Sequence, residues 1–60
     1  MRTYTELTDL ANTCAKSARV ATSKEVTHHL WQMALEYQAK AAKLDGGKLP
    51  DIGEEPAALT

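Results

Sequence analysis

Residues 22–25 read Thr22-Ser23-Lys24-Glu25, and this stretch decides the fold. A hydroxyl residue followed three positions later by glutamate is the pattern of a capping box, in which Thr22 bonds the Glu25 amide and the Glu25 side chain reaches back. The stretch stands where the apolar periodicity of the preceding segment loses its phase. It therefore predicts a tight turn between two helices, which pack antiparallel as a hairpin because the turn is short.

The segments on both sides of this turn have the marks of helices. A second capping box, Thr3-Tyr4-Thr5-Glu6, opens a first helix predicted at about residues 4–21. Gly46-Gly47 ends a second helix predicted at about residues 23–45, because glycine readily adopts the left-handed conformation of a helix C-cap. The first helix has one apolar stripe at spacings of three and four, comprising Leu7, Leu10, Ala11, Cys14, Ala18 and Ala21.

The turn also predicts a register, counted outward from Thr22, in which small residues of the first helix face larger residues of the second. Such complementary sizes let two helices interdigitate. The predicted pairs are Ala18 with Val26, Cys14 with Leu30, Ala11 with Met33, and Leu7 with Tyr37.

The second helix carries more apolar surface than one hairpin partner can cover. One stripe is assigned to the first helix, and a second stripe lies nearly opposite. The first stripe comprises Val26, Leu30, Met33, Tyr37, Ala41 and Leu44. An exposed apolar stripe usually marks an interface. We therefore expect a homo-oligomer, most simply a dimer that completes a four-helix bundle; the alternatives are an unidentified protein partner, or Trp31 packed along the edge of its own hairpin. The predicted interface residues are Trp31, Leu35, His28, Ala39 and Ala42.

The length and composition point the same way. A chain of 60 residues has a marginal core on its own, and one cysteine cannot form an internal disulfide, so association is the expected remedy. No apolar run is long enough to span a bilayer, and Met1–Glu6 contains no stretch like that of a signal peptide. With Cys14 unpaired, we expect a protein of the reducing cytoplasm.

The hairpin, residues 1–45, is followed by a tail, residues 46–60, that is acidic and contains glycine and proline. Leu49, Pro50 and Ile52 are predicted to form a small apolar hook, extended because Pro50 restrains the residue before it. We expect residues 49–53 to dock on the open end of the hairpin near Tyr4, or on a neighbouring subunit. Residues 56–60 have the composition of a disordered terminus.

Residues with catalytic or metal-binding chemistry are sparse, so we expect no enzyme, no metal and no cofactor. Glu25-x-x-His28 has the spacing of ferritin-like metal sites, which leaves a metal-binding bundle as a third functional reading. His28 and His29 point about 100° apart on a helix and cannot hold one ion together. Cys14 lies mid-helix on the packed stripe and is expected to be a small buried apolar residue.

A mildly basic patch near the turn gives the alternative function, a small dimeric nucleic-acid-binding regulator. Lys16, Arg19 and Lys24 are its candidate phosphate contacts. The formal net charge of −1 and the lack of an aromatic stacking platform weigh against nucleic acid as the partner.

Several segments resemble a group of very short alphaproteobacterial hypothetical proteins built on an alanine-rich helical hairpin. The resemblance implies this architecture and a bacterial origin, and it brings no activity, cofactor or site residue. With the preceding observations, it favours a small non-enzymatic protein–protein interaction or regulatory module that self-associates through the second helix. The segments are Tyr4-x-Glu6-Leu7, Cys14-Ala15, Glu25-Val26, Trp31-Gln32-Met33-Ala34-Leu35-Glu36-Tyr37 and, most distinctively, Leu44-Asp45-Gly46-Gly47-Lys48-Leu49-Pro50-Asp51-Ile52-Gly53.

Overall fold

The computed structural model describes residues 3–59 and is all-helical. Helix α1 spans Tyr4–Val20, helix α2 spans Lys24–Leu44, and a short 3-10 helix spans Ala57–Leu59. The two α-helices pack against each other along their length. The longest dimension of the molecule is 33 Å, close to the length of about 31 Å expected for the 21 residues of α2. The predicted helical hairpin is confirmed.

Both helix starts are capped by hydroxyl side chains. Thr3 Oγ1 accepts a 3.2 Å hydrogen bond from the Glu6 amide, as the first capping box predicts. At the turn, however, the N-cap is Ser23 and not Thr22, because Ser23 Oγ accepts from the Val26 amide at 3.5 Å. The Ser23 carbonyl also accepts from the Thr27 amide and, at 2.9 Å, from the Thr27 hydroxyl. These bonds place the start of α2 one residue later than predicted.

Helix α2 ends in the glycine pair that the sequence indicates. Gly46 and Gly47 have φ values of +67° and +96°, in the region that favours glycine. The Gly47 amide donates to the Ala42 carbonyl at 2.6 Å, the six-to-one bond of a Schellman motif. This C-cap turns the chain back toward the hairpin.

Small residues on both helices form the seam of the hairpin. Thr27, Ala34 and Ala41, spaced by seven, form the fully buried line of α2. Ala41 belongs to the stripe predicted to face the first helix, and Thr27 and Ala34 lie between the two predicted stripes. Val26, by contrast, is 49% exposed and lies at the edge of the seam. Alanine on both sides lets the helix backbones approach, so larger side chains pack on the flanks of the seam. The buried residues of α1 are Leu7, Ala11, Cys14, Ala15 and Ala18.

The tail is a third layer that runs back along the hairpin from the end of α2 to the turn. Gln38 Nε2 donates to the Pro50 carbonyl at 2.9 Å, and Arg19 Nε donates to the Glu54 carbonyl at 3.0 Å. Arg19 Nη2 donates to the Ile52 carbonyl. The Ile52 side chain, 4% exposed, joins the core cluster of Ala11, Cys14, Ala15 and Ala34.

The path of the tail differs from the one expected from sequence. Pro50 and Ile52 are buried whereas Leu49 is 59% exposed, so two of the three hook residues point inward. Because Arg19 lies in the last turn of α1, the segment it holds has passed the open end near Tyr4 and reached the turn end. Pro56 is buried and Ala57–Leu59 form the 3-10 helix against α2, where the sequence indicates disorder. Thr60 lies outside the described residues.

Candidate functional site

The tail covers part of the surface that the sequence assigns to a second chain. Trp31 is half-buried and packs against the core cluster that contains Ile52, and Ala42 is buried. Leu35 is 36% exposed, and Ala39 and His28 are exposed. The predicted interface stripe is therefore divided, with its Trp31 and Ala42 portion inside the folded chain.

The three predicted phosphate contacts differ in their surroundings. Lys16 and Lys24 are exposed, but the Arg19 guanidinium faces the tail and donates to two of its carbonyls. Gly53, with φ +86°, lies directly beneath this guanidinium. The absence of a Cβ at Gly53 is what lets Arg19 come so close to the tail backbone. Arg19 thus acts as a clamp on residues 52–54.

A shallow, open hollow lies where the tail ends against α2. Lys24, Glu25, His28 and Leu59 line it, and its volume is about 440 Å³. Its surface is mostly apolar, with one acidic, one basic and one imidazole group at its rim. Within residues 3–59, no three His, Cys, Asp or Glu side chains come together to hold a metal ion. Cys14 is a buried free thiol of the core cluster.

An apolar strip runs along α2, and we call it the open face. Val26 and Leu44 at its ends are 49% and 50% exposed, and the residues between them are half-buried. At about 100° per residue, this strip lies on one flank of the seam, and Trp31 and Gln38, on the tail side, lie on the other. The open face consists of Val26, Leu30, Met33, Tyr37 and Leu44.

Charged and polar groups border the open face on the side away from α1. Lys40 Nζ stands 5.6 Å from the centroid of the Tyr37 ring, a cation–π contact that keeps both side chains along the face. Glu25 and Lys43 stand at the two ends of the same border, and both are exposed. An apolar strip with a charged border has the composition of an interface core and its rim.

The sequence assigns the open-face residues to contact with the first helix. Met33 and Tyr37 do pack, partly buried, against the core cluster that contains Ala11 and Cys14, whereas Val26 and Leu44 at the ends are half exposed. The small residues of the buried line are the signal for the exposure of these ends, because they let the first helix approach α2 more closely.

No family model, curated protein or solved structure matches this chain. Over residues 3–59, neither helix combines the length and the apolar character needed to cross a membrane.

Proposed function

We propose that this protein is a small non-enzymatic interaction module that self-associates through α2. The observation that supports this is the open face on the flank away from the tail, where Val26 and Leu44 are half exposed and the half-buried Leu30, Met33 and Tyr37 join them along α2. A contiguous apolar surface of this kind is unfavourable in water and is typical of a binding surface.

A second copy of the chain is the occupant we propose for this face. Two hairpins that join their open faces form a four-helix bundle, in which each copy supplies the apolar area that the other lacks. The tails then lie on the outer sides of the bundle and keep their contacts with Arg19 and Gln38. A cytoplasmic location and kinship with short alphaproteobacterial hairpin proteins belong to the same proposal.

Solution mass by light scattering, with a matched pair of charge insertions, tests the proposal. The wild-type chain is expected at twice its 6.5 kDa mass, with dissociation on dilution. Met33→Glu places a charge at the centre of the open face and should give the 6.5 kDa species. Leu35→Glu, on the other side of the same helix, should leave the dimer intact.

Circular dichroism of each variant separates loss of association from loss of folding. Met33 is half-buried against the core cluster, so the proposal requires that Met33→Glu keeps a helical spectrum while its mass falls. A wild-type chain that stays at 6.5 kDa up to millimolar concentration would overturn self-association. An equal effect of Met33→Glu and Leu35→Glu would show that association does not use the open face.

A further inference from the structure

We infer that the two copies pair through antiparallel α2 helices about a two-fold axis level with position 35. This inference deepens the proposed function and depends on it, since it specifies how the open faces meet. In this register Val26 lies against Leu44 of the second copy, and Met33 lies against Tyr37 of the second copy. The aliphatic stem of Lys40 then covers Leu30 of the second copy.

The two exposed ends of the open face are symmetric about this axis. Val26 and Leu44 are 18 positions apart, about five turns, so they lie at the same angle on α2 and equally far from position 35. They are also exposed to nearly the same extent, 49% and 50%. In a two-fold contact, residue i meets j and j meets i. The antiparallel register therefore covers both exposed ends with each other.

The two-fold axis also brings border residues of opposite charge to nearly the same level. Glu25 and Lys43 are also 18 positions apart and lie on one side of the open face. In the antiparallel register, Glu25 of each copy stands within about 3 Å, along the helix axis, of the level of Lys43 of the other copy. A parallel register would instead separate Glu25 of one copy from Lys43 of the other by about 27 Å along the helix axis, so these two groups could not pair. Opposite charges at an interface border select direction and register more than they add affinity.

The helix ends add to the same preference. The N-terminus of α2, where Glu25 lies, carries partial positive charge, and the C-terminus, where Lys43 lies, carries partial negative charge. Antiparallel packing brings each end beside the opposite end of the second copy. Backbone and side-chain charges thus favour one direction.

Charge reversal tests the register. Glu25→Lys and Lys43→Glu each convert two attractive contacts into two repulsive ones, so each should weaken dimerisation roughly tenfold at low salt. The double variant restores opposite charges across the interface and should return the dissociation constant to within about twofold of wild type. Dissociation constants are measured by sedimentation equilibrium at low salt and at 0.5 M NaCl, where the differences should shrink because exposed charges are screened.

An effect of the substitutions on helix stability alone would not restore dimerisation in the double variant. Both reversals oppose the helix dipole, so within one chain their effects on helicity add, and the double variant should be the least helical at monomeric concentration. Recovery of dimerisation in the double variant therefore requires contact between copies. A dimeric wild type whose double variant is not restored, or whose single variants bind normally, overturns the register and leaves self-association standing. A monomeric wild type overturns both.

Discussion

Replacing Gly53 with alanine should loosen the tail far more than the same replacement at Gly46. Gly53 has φ +86°, and an L-residue adopts this left-handed region at a cost of about 1 kcal/mol. A Cβ at this position would also overlap Arg19 Nη2 and lie 3.1 Å from Arg19 Cζ. The guanidinium is the end of a flexible side chain, so it would move away and give up its bonds to the Ile52 and Glu54 carbonyls.

The expected magnitude follows from these two effects. Hydrogen bonds from charged donors contribute about 1.5–3 kcal/mol when sheltered, and we assign about 1 kcal/mol to each of these partly exposed ones. With the backbone cost, Gly53→Ala should destabilise tail docking by about 3 kcal/mol. Gly46 has φ +67° and nothing within 4 Å of an added Cβ, so Gly46→Ala should cost only about 1 kcal/mol.

Trp31 fluorescence provides the assay, because Trp31 packs against the cluster that contains Ile52. Urea titrations at one fixed protein concentration would follow tail release by fluorescence and helix loss by circular dichroism. In an Arg19→Ala background, Gly53→Ala should retain only its backbone cost, giving a coupling energy of about 2 kcal/mol. Equal costs at Gly46 and Gly53, or the same Gly53 cost without the guanidinium, would refute the clamp.

Two further changes test the tail anchor and the turn. Ile52→Ala should cost about 2–4 kcal/mol and shift Trp31 fluorescence to the red, whereas Leu49→Ala, at a 59% exposed position, should change stability by less than about 0.5 kcal/mol in the same titration. Ser23→Ala should cost about 1 kcal/mol of thermal or urea stability through loss of the α2 cap, and Thr22→Ala should cost much less; the reverse order would restore Thr22 as the cap.

The hairpin was predictable because its signals are local. Thr3 and Gly46-Gly47 cap the helices through hydrogen bonds to residues close to them in sequence. Short stretches of sequence were therefore enough to place the start of the first helix and the end of the second. The N-cap at the turn was wrong by one residue because Thr22 and Ser23 are both good capping residues. In the structure the Ser23 hydroxyl makes the capping bond, and the buried Thr27 hydroxyl bonds the Ser23 carbonyl.

The buried face of α2 was harder to predict because alanine contributes little to an apolar pattern. Val26 and Leu30 on one side and Trp31 and Leu35 on the other read as two separate stripes. In the structure they are the two edges of a single broad face, centred on alanine and threonine. Close backbone approach at small residues, rather than side-chain size, decides which line of the helix is buried.

The place where residues 49–53 dock could not be predicted, because the groups that hold them are distant in sequence. Arg19 bonds a carbonyl 35 positions away, and the groups it recognises are backbone carbonyls, which every residue has. The glycine, proline and glutamate content of residues 46–60 is that of a disordered segment, and Ile52 is its one branched side chain in the buried core. The residue in the sequence that relates to docking is Gly53. Its role is visible only in the structure, where the Arg19 guanidinium packs over it.

The structure changes how the small size of the chain is compensated. A seam of alanines brings helices close, but each buried methyl contributes only about 0.8 kcal/mol of hydrophobic stabilisation. Leu7 and Ile52 are the branched aliphatic side chains buried within residues 3–59, and one of them comes from the tail. The chain therefore supplies part of its missing core itself, on the flank where Trp31 and Gln38 lie. On the opposite flank, Val26 and Leu44 stay half exposed while Met33 and Tyr37 pack partly on the core, and under the proposed function a second copy covers these exposed ends.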